Sequence, residues 1–221
     1  MAEVAYTLPE PEPSPAQGIM GVDLGVQVPA VVHVLGKGTC FFGKGREQRV
    51  QRRQFYALRK DLQQAKQVRA VRQSPGKEQR WMRAVNHQLS RQIVSHAQQQ
   101  GVGVIRMEQL AGIRDRTRQR TARTSGGAKA RKNNRLIATR AFHQLATFIA
   151  YKAERVGMAV EWIDPAYTSQ MCPACSARNK ATDRRYVCQA CGWTGHRDAV
   201  GAINTSRRTG RRGHSAGATG V

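Results

Sequence analysis

Residues 167–204 read YTSQMCPACSARNKATDRRYVCQACGWTGHRDAVGAIN, and this segment decides the fold. It contains two CxxC pairs in the pattern C-x2-C-x12-C-x2-C: Cys172, Cys175, Cys188 and Cys191. Each CxxC places two thiolates on one tight turn, and two such turns facing each other complete a tetrahedron around Zn²⁺. Four cysteines leave no open position for water. The sequence therefore predicts a structural zinc, which replaces the core that so short a segment lacks.

A redox role for one CxxC pair, as a dithiol, is the alternative interpretation of these cysteines. The opening MAEVAYTLPEPEPSPAQG has neither the basic nor the apolar region of a secretory signal. We therefore expect a reducing compartment, which disfavours disulfides and favours metal binding. The fifth cysteine, Cys40, lies in GTCFFG and is expected to be a small buried hydrophobic residue.

The sequence on either side of this segment alternates between strand and helix patterns. HRDAVGAINTS predicts a final helix that begins near Asp198. Near the other end of the chain, three apolar stretches predict an antiparallel meander: GIMGVDLGV (18–26), PAVVHVLG (29–36) and TCFFG (39–43). VGVIRMEQL (102–110) predicts a strand buried in a parallel sheet, and MAVEWIDPA (158–166) predicts a further strand.

Helical patterns separate these strands. Apolar residues at four-residue spacing predict an amphipathic helix that ends at Gly101: Trp81, Val85, Leu89, Ile93 and Ala97. A basic helix over about 46–72 precedes it, with a predicted break at Ser74–Gly76. Helix resumes over about 138–156, with an apolar face of Phe142, Leu145, Phe148 and Ile149. Together the elements predict an α/β layered fold with a mixed sheet.

Three acids stand at the ends of these elements: Asp23, Glu108 and Asp198. A salt bridge to an arginine would explain Asp23, and the helix dipole alone would explain Asp198. Two strand ends and a helix start can also converge on one point, with the three carboxylates within about 4 Å of one another. Such a cluster would repel unless it held two Mg²⁺ ions, which is the arrangement of a metal-dependent nuclease.

The charge balance points to a polyanionic partner. The chain has 37 Lys and Arg residues against 14 Asp and Glu, a formal net charge of +23. Basic residues are spread over several segments, and no apolar run is long enough to span a bilayer, so nucleic acid is favoured over a membrane. Residues 111–135 predict a mobile basic loop that lies along nucleic acid: Arg114, Arg116, Arg118, Arg120, Arg123, Arg131 and Lys132.

These motifs, in this order, resemble the C-terminal half of TnpB-type proteins, the OrfB transposase family of insertion sequences. Those proteins are related to the compact type V CRISPR effector nucleases. The resemblance covers roughly residues 18–206 and is carried by GVDLGV, RMEQL, YTSQMCPAC…YVCQACG and HRDAVGAIN. It implies a RuvC-like nuclease domain of the RNase H fold, a mixed sheet flanked by helices with a zinc ribbon inserted before the last acid.

The resemblance further implies that Asp23, Glu108 and Asp198 are the catalytic ligands of Mg²⁺ or Mn²⁺. It implies RNA-guided DNA cleavage, with DNA and a guide RNA as partners, in the bacterial cytoplasm at the nucleoid. The family has a sizeable N-terminal recognition region, whereas about 17 Pro-rich residues precede the first strand here. We therefore expect that region to be missing or supplied by a partner.

The domain organisation expected from these patterns has four parts. Residues 1–17 are a disordered Pro-rich lead-in, and residues 18–167 with 197–206 form the nuclease domain. Residues 168–196 form the inserted ribbon, and residues 207–221 a disordered basic tail.

Two alternatives to the nuclease are considered. A non-catalytic DNA- or RNA-binding remnant or regulator would keep the fold and the ribbon, and its affinity would depend as steeply on salt. A recombinase that acts by strand exchange is disfavoured, because no Ser, Tyr or His stands in a clear nucleophile context.

Overall fold

A computed structural model describes residues 11–109, 128–179 and 183–212. A six-stranded mixed sheet, in the order β3-β2-β1-β4-β5-β8, organises this part of the chain. The strands are β1 Gly18–Asp23, β2 Ala30–Val34, β3 Gly38–Phe42, β4 Val102–Glu108, β5 Ala159–Ile163 and β8 Arg211–Arg212. A separate hairpin pairs β6 Arg185–Val187 with β7 Thr194–His196.

The pairing follows the predicted order. Strands β1, β2 and β3 form an antiparallel meander, while β4 lies parallel to both β1 and β5. The α/β class and the mixed sheet predicted from the sequence are therefore confirmed. Helix α1 spans Gly45–Gln64, α2 Val68–Gln99, α3 Ala128–Glu154 and α4 Arg197–Arg207. None of these helices combines the length and the apolar composition that crossing a membrane requires.

The main core lies between one face of the sheet and helices α2 and α3. Alternate residues of β1 and β4 point into it because successive side chains of a strand face opposite sides. The predicted helical stripes meet them there, since Leu89, Ile93 and Ala97 of α2 are buried. The fully buried members of this core include Met20, Val32, Ile93, Val102, Ile105 and Ile149.

Helix α4 packs on the other face of the sheet, against β1. Gly21 allows this contact, because a Cβ atom at that position would lie 2.3 Å from the carbonyl oxygen of Ala202. Arg106 of β4 and Glu161 of β5 form a partly buried ion pair on the same face, with 2.8 Å between Nε and Oε2. We call this side of the sheet, which contains the ion pair and is covered by α4, the polar face.

The predicted helix break at Ser74–Gly76 is wrong. The chain breaks at residues 65–67, and α2 continues through Pro75. Proline has no N–H for the carbonyl of Val71, four residues earlier. The hydroxyl of Ser74 donates to that carbonyl at 2.9 Å, so the acceptor that Pro75 leaves free is still satisfied.

Three segments predicted as loop or disorder are ordered in part. Helix α3 begins at Ala128, so the end of the predicted basic loop, including Arg131 and Lys132, is helical. Strand β8, within the predicted tail, pairs antiparallel with β5. Within the predicted lead-in, the N–H of Ser14 donates to the carbonyl of Gly157 at 2.8 Å. Tertiary pairing, which a local sequence pattern does not report, orders each of the last two segments.

Candidate active site and metal centre

The four cysteines of the ribbon converge on one point. Their Sγ atoms all lie within 4.8 Å of one another, with 3.7 Å between Cys172 and Cys191 and 3.5 Å between Cys175 and Cys188. Thiolates at this spacing match a tetrahedral metal site of the kind that zinc occupies. The predicted four-cysteine cluster is therefore present, as a site that could hold a metal ion.

The environment of the cluster favours the thiolate state of one of its four cysteines, Cys188. The side-chain amide of Asn179 donates to the sulfur of Cys188 at 3.3 Å. Burial raises the pKa of the Cys188 thiol, but backbone N–H groups of Cys191 and Ala190 at its sulfur outweigh this and lower the pKa to about 6. Gly192 has a φ of +72°, the left-handed conformation expected from a glycine after the fourth cysteine. A backbone N–H of Trp193 lowers the pKa of the Cys191 thiol, but hydrogen bonds with the other three thiols and burial outweigh it and raise the pKa to about 12. Without a metal ion the cluster therefore holds a proton most firmly at Cys191 and least firmly at Cys188.

The three predicted acids lie at the polar face of the sheet. Val22 of β1 is in register with Met107 of β4, so Asp23 and Glu108 lie at the carboxyl ends of neighbouring parallel strands. Asp198 lies in the first turn of α4, which packs over β1. Two strand ends and one helix start therefore approach one another from three separate parts of the chain.

Asp23 is the centre of this group. Its burial, followed by the neighbouring carboxylates of Glu108 and Asp198, raises its pKa to about 7. The guanidinium of Arg197 opposes the shift only in part. A carboxyl group with two like charges beside it favours a bound proton or a bound cation, since either removes the repulsion.

Glu108 has a different environment. Burial raises its pKa, while a hydrogen bond from the hydroxyl of Thr168 to Oε1 and the positive charge of Arg208 lower it. The carboxylate of Asp164 lies near enough to raise it again. Asp164 follows directly after β5, whose residue Ile163 is in register with Glu108, so a fourth acid flanks the group.

The three predicted acids are more widely spaced than the sequence argument expected. In the part of the chain that the structure describes, the four cysteines are the one group of three or more His, Cys, Asp or Glu side chains whose ligand atoms all lie within 4.8 Å. The expected mutual distance of about 4 Å between the carboxylates is therefore wrong.

Sequence reasoning missed three residues that shape this site. Gly201, one turn after Asp198, lies against the carboxylate of Asp23. Thr168 contacts Glu108, and Asn204 of α4 holds the backbone of Thr168. A signal existed for Gly201 alone, because a glycine inside a helix costs about 1 kcal/mol relative to alanine and so indicates close packing.

The residues predicted to contact nucleic acid fall mostly outside the described part of the chain. This applies to Arg114, Arg116, Arg118, Arg120 and Arg123. Arg131 and Lys132 lie in the first turns of α3, and their backbone alone is described.

Fold and site together define a class of protein. The mixed sheet flanked by helices, with the four-cysteine hairpin inserted before the last helix, has the RNase H-like, RuvC-like fold that the sequence predicted. Two cryo-EM structures share this fold: a Cas12f1–sgRNA–target DNA complex (TM-score 0.67, 18% identity, 90% of this chain, 51% of that chain) and a CRISPR-Cas12f ternary complex (TM-score 0.71, 17% identity, 96% and 42%).

Comparison with a family model and with known sequences shows to which family the chain belongs. The family model described as the TNB domain of Cas12f1-like proteins matches residues 142–205. The chain is 30% identical to the CRISPR-associated endodeoxyribonuclease Cas12f1 of Sulfoacidibacillus thermotolerans over 84% of its own length. It is 28% identical to a TnpB-like protein of Methanocaldococcus jannaschii over 61%. The chain is therefore a TnpB-type relative of the compact type V nucleases. It spans 44% and 45% of the length of these two relatives.

Proposed function

We propose that this chain is the catalytic half of a metal-dependent DNA endonuclease of the TnpB type, guided by RNA in its complete form. The observation that carries the proposal is the position of Asp23 beside Glu108 and Asp198: desolvation of the carboxyl group first, and then these two carboxylates, raise its pKa to about 7. Asp23 lies beside acids in a chain of net charge +23 and takes part in none of the ion pairs of the described residues, which favours a cation-binding role over a structural one.

Asp23, Glu108 and Asp198 would hold the divalent ions, Mg²⁺ or Mn²⁺. When bound, such ions polarise a phosphodiester and lower the pKa of a water molecule enough to attack it. The residues of the chain fix the positions of the metal ligands. Asp23 is rooted in β1, Glu108 in β4 and Asp198 in α4, so each ligand comes from a rigid element.

Arg197 stands beside this group and is exposed to solvent. It precedes Asp198 at the start of α4, and its charge reaches Asp23. We infer that its guanidinium faces the phosphate of the bound strand, because a scissile phosphate would have to lie over the same carboxylates. Its positive charge would draw the polyanion to an otherwise acidic site.

The four cysteines would hold zinc in a structural role. All four ligand positions are thiols, so a tetrahedral ion would have no open position for a reacting water. Relatives of similar fold are seen in complexes with an sgRNA and target DNA. The proposed partners are therefore DNA and a guide RNA, and DNA as the substrate would place the protein in the cytoplasm at the nucleoid.

Cleavage of labelled single- and double-stranded DNA by the zinc-loaded chain tests the proposal, with Mg²⁺, with Mn²⁺ and with EDTA. Asp198→Asn should abolish cutting and leave DNA binding intact, since the amide keeps the shape and loses the charge that binds metal. Asp61→Asn, at an exposed acid of α1, is the matched control and should cut as the wild type does.

Retained cutting by Asp198→Asn would refute the assignment. An absence of cutting in every metal, with salt-dependent binding retained, would favour the second candidate, a nucleic-acid-binding remnant or regulator. The net charge of +23 is the observation that supports that candidate.

A further inference from the structure

The carboxylate of Glu108 is held from outside its own strand, by the turn that leads into the ribbon. After β5 the chain passes through residues 164–171 before it reaches Cys172. Thr168, in the middle of this turn, is 3% exposed, and its hydroxyl donates to Oε1 of Glu108. A buried hydroxyl that donates to a carboxylate makes a charge-assisted bond, which fixes the direction of the acceptor more firmly than a neutral bond does.

The backbone of the same turn is fixed by α4. The side-chain amide of Asn204 donates to the carbonyl of Thr168 at 2.7 Å and to that of Met171 at 2.8 Å. Asn204 is 8% exposed and lies on the helix that also carries Asp198. Both N–H groups of one amide are thus used on two carbonyls of one turn, which leaves the turn little freedom to move relative to α4.

These contacts form a continuous link between the acids. From Asp198 the path runs along α4 to Asn204, then through the backbone of Thr168 to its hydroxyl, and from there to Glu108. Met171, at the other carbonyl, stands directly before Cys172, the first cysteine of the cluster. The segment that orients Glu108 is therefore also the segment on which the ribbon is mounted.

We propose that Thr168 is a positioning residue for Glu108, and that Asn204 couples it to α4. The link fixes Glu108 relative to Asp198 at the side chain, in addition to the packing of α4 on β1 and the bond from Arg106 to the carbonyl of Ser206. The inference rests on the proposed function in so far as Glu108 is taken to be a metal ligand. A residue that orients a ligating carboxylate in this way typically changes metal affinity or activity by about 10- to 100-fold when it is removed.

Metal affinity is the measurement, because a merely structural role of Thr168 would leave it unchanged. Mn²⁺ binding to the zinc-loaded full chain is followed by calorimetry and by electron paramagnetic resonance of the free ion. Thr168→Val, which keeps the size and loses the hydroxyl, should weaken Mn²⁺ binding about 10-fold. Thr168→Ser should restore it, and the zinc content should stay the same in both variants.

Two further variants sharpen the result. Thr147→Val is the matched control, since the hydroxyl of Thr147 bonds within α3, to the carbonyl of His143. It should bind Mn²⁺ as the wild type does. Asn204→Asp keeps the shape of the amide and loses both donors, so it should weaken Mn²⁺ binding as Thr168→Val does. Wild-type Mn²⁺ affinity in Thr168→Val would overturn the positioning role, and in Asn204→Asp it would overturn the coupling to α4.

If the wild type binds no Mn²⁺ at a site that depends on Asp198, the proposed function fails. A second measurement, of thermal stability, then still tests the contact between Thr168 and Glu108. Thr168→Val should lower the melting temperature by about 3 °C in the wild-type background, as expected for one lost hydrogen bond. In a Glu108→Ala background it should lower it by less, since the charged acceptor is gone and only the longer bond to the carbonyl of Pro165, at 3.2 Å, is left to lose. Equal shifts in the two backgrounds would show that Thr168 and Glu108 do not interact, and the inference would fail.

Discussion

Gly201 of α4 lies directly against the carboxylate of Asp23 at the end of β1. A Cβ atom at residue 201 would lie 2.6 Å from Oδ2 and 2.8 Å from Cγ of that side chain. Gly201 is one helical turn beyond Asp198, so both face the same way along α4. The absence of a side chain at 201 is therefore what lets the helix that carries one acid approach the strand that carries another.

Gly201→Ala should displace the carboxylate of Asp23 and change the stability of the fold only a little. Oδ2 and Cγ of Asp23 can move away by rotation of the side chain, and its Cβ, at 3.3 Å, requires a shift of only a few tenths of an ångström, so α4 should remain docked. A shift of about 1 Å in a reacting or ligating group can cost about 100-fold in rate. We expect the variant to lose about that factor in metal-dependent cleavage, with weaker Mn²⁺ binding in calorimetry, while its melting temperature stays near that of the wild type.

Gly76→Ala serves as the control for this substitution. Gly76 also lies inside a helix, and the nearest atoms to its added Cβ belong to the flexible side chain of Arg80. It should be neutral or slightly stabilising, because alanine is favoured over glycine in helices by about 1 kcal/mol. Cleavage at the wild-type rate by Gly201→Ala would show that the position of Asp23 does not depend on this contact.

Features with a local pattern were predictable from the sequence. The cysteine spacing predicted the four-thiol cluster, and the acids at the ends of apolar strands predicted that Asp23 and Glu108 lie at one edge of the sheet. The buried face of α2 followed from periodicity, as the burial of Leu89 and Ile93 confirms. Each of these predictions rests on a pattern that can be read within one short segment of the sequence.

Features that depend on long-range contacts were not predictable. The hydroxyl of Thr168 reaches Glu108 across 60 residues of chain, and Asn204 reaches Thr168 across 36. Nothing in YTSQ or GAIN alone indicates either bond. The predicted helix break at Pro75 was wrong for a different reason. Proline is a strong local indication of a break, but the neighbouring Ser74 donates the hydrogen bond that proline cannot. Local rules failed where a single side chain compensated for the break.

The pH dependence of stability should expose the raised pKa of Asp23. In metal-free protein its pKa rises from 3.8 to about 7, so the folded state binds the proton more tightly than the unfolded state does. The free energy of unfolding should therefore fall as pH rises from about 4 to about 7, and should not recover above that range. Asp23→Asn lacks this titration, so at pH 8 it should be more stable than the wild type by on the order of 2–4 kcal/mol.

Urea unfolding of the two proteins at pH 4 and pH 8, with zinc and without Mg²⁺, provides the comparison. The difference between them cancels the titration of groups that both share. Saturating Mg²⁺ should stabilise the wild type and not Asp23→Asn, because only the carboxylate binds the ion. A stability difference that is the same at both pH values would contradict a shifted pKa at Asp23.

Metal content should depend on the four clustered cysteines and not on Cys40. The wild type should carry one zinc per chain, and Cys175→Ser should lose it, because three thiolates leave the tetrahedron incomplete. Cys40→Ser is the control, since Cys40 lies outside the cluster, half-buried against the main core. Elemental analysis gives the zinc content, and Co²⁺ substitution gives the optical spectrum of a thiolate-ligated tetrahedral site.

Zinc loss should also destabilise the polypeptide of the ribbon. The hairpin has a small core, Tyr186 and the buried cysteines, so the metal supplies much of its folding free energy. Limited proteolysis should then cut Cys175→Ser between residues 172 and 191, where the zinc-loaded wild type resists. A protease-resistant ribbon without zinc would mean that the cysteines pack as hydrophobic residues and bind no structural ion.

Loss of the partly buried ion pair between Arg106 and Glu161 should lower the free energy of unfolding far more than loss of the exposed pair at the start of α1. Arg106 bonds to Glu161 at 2.8 Å and, through Nη1, to the carbonyl of Ser206 near the end of α4 at 2.9 Å. The side chains of the pair are 11% and 13% exposed, so Arg106→Met leaves a buried carboxylate uncompensated, at a cost of about 3–5 kcal/mol. It also frees the carbonyl by which β4 holds α4.

Lys44→Met removes the corresponding partner of an ion pair with Glu47, whose side chains are 77% and 69% exposed. Water screens that pair, so its loss should cost less than about 1 kcal/mol. Urea unfolding of the zinc-loaded proteins measures both values, and Arg106→Met combined with Glu161→Leu should recover most of the loss because no charge then remains buried. If Arg106→Met costs no more than Lys44→Met, the polar face is solvated and α4 is held to the sheet by packing alone.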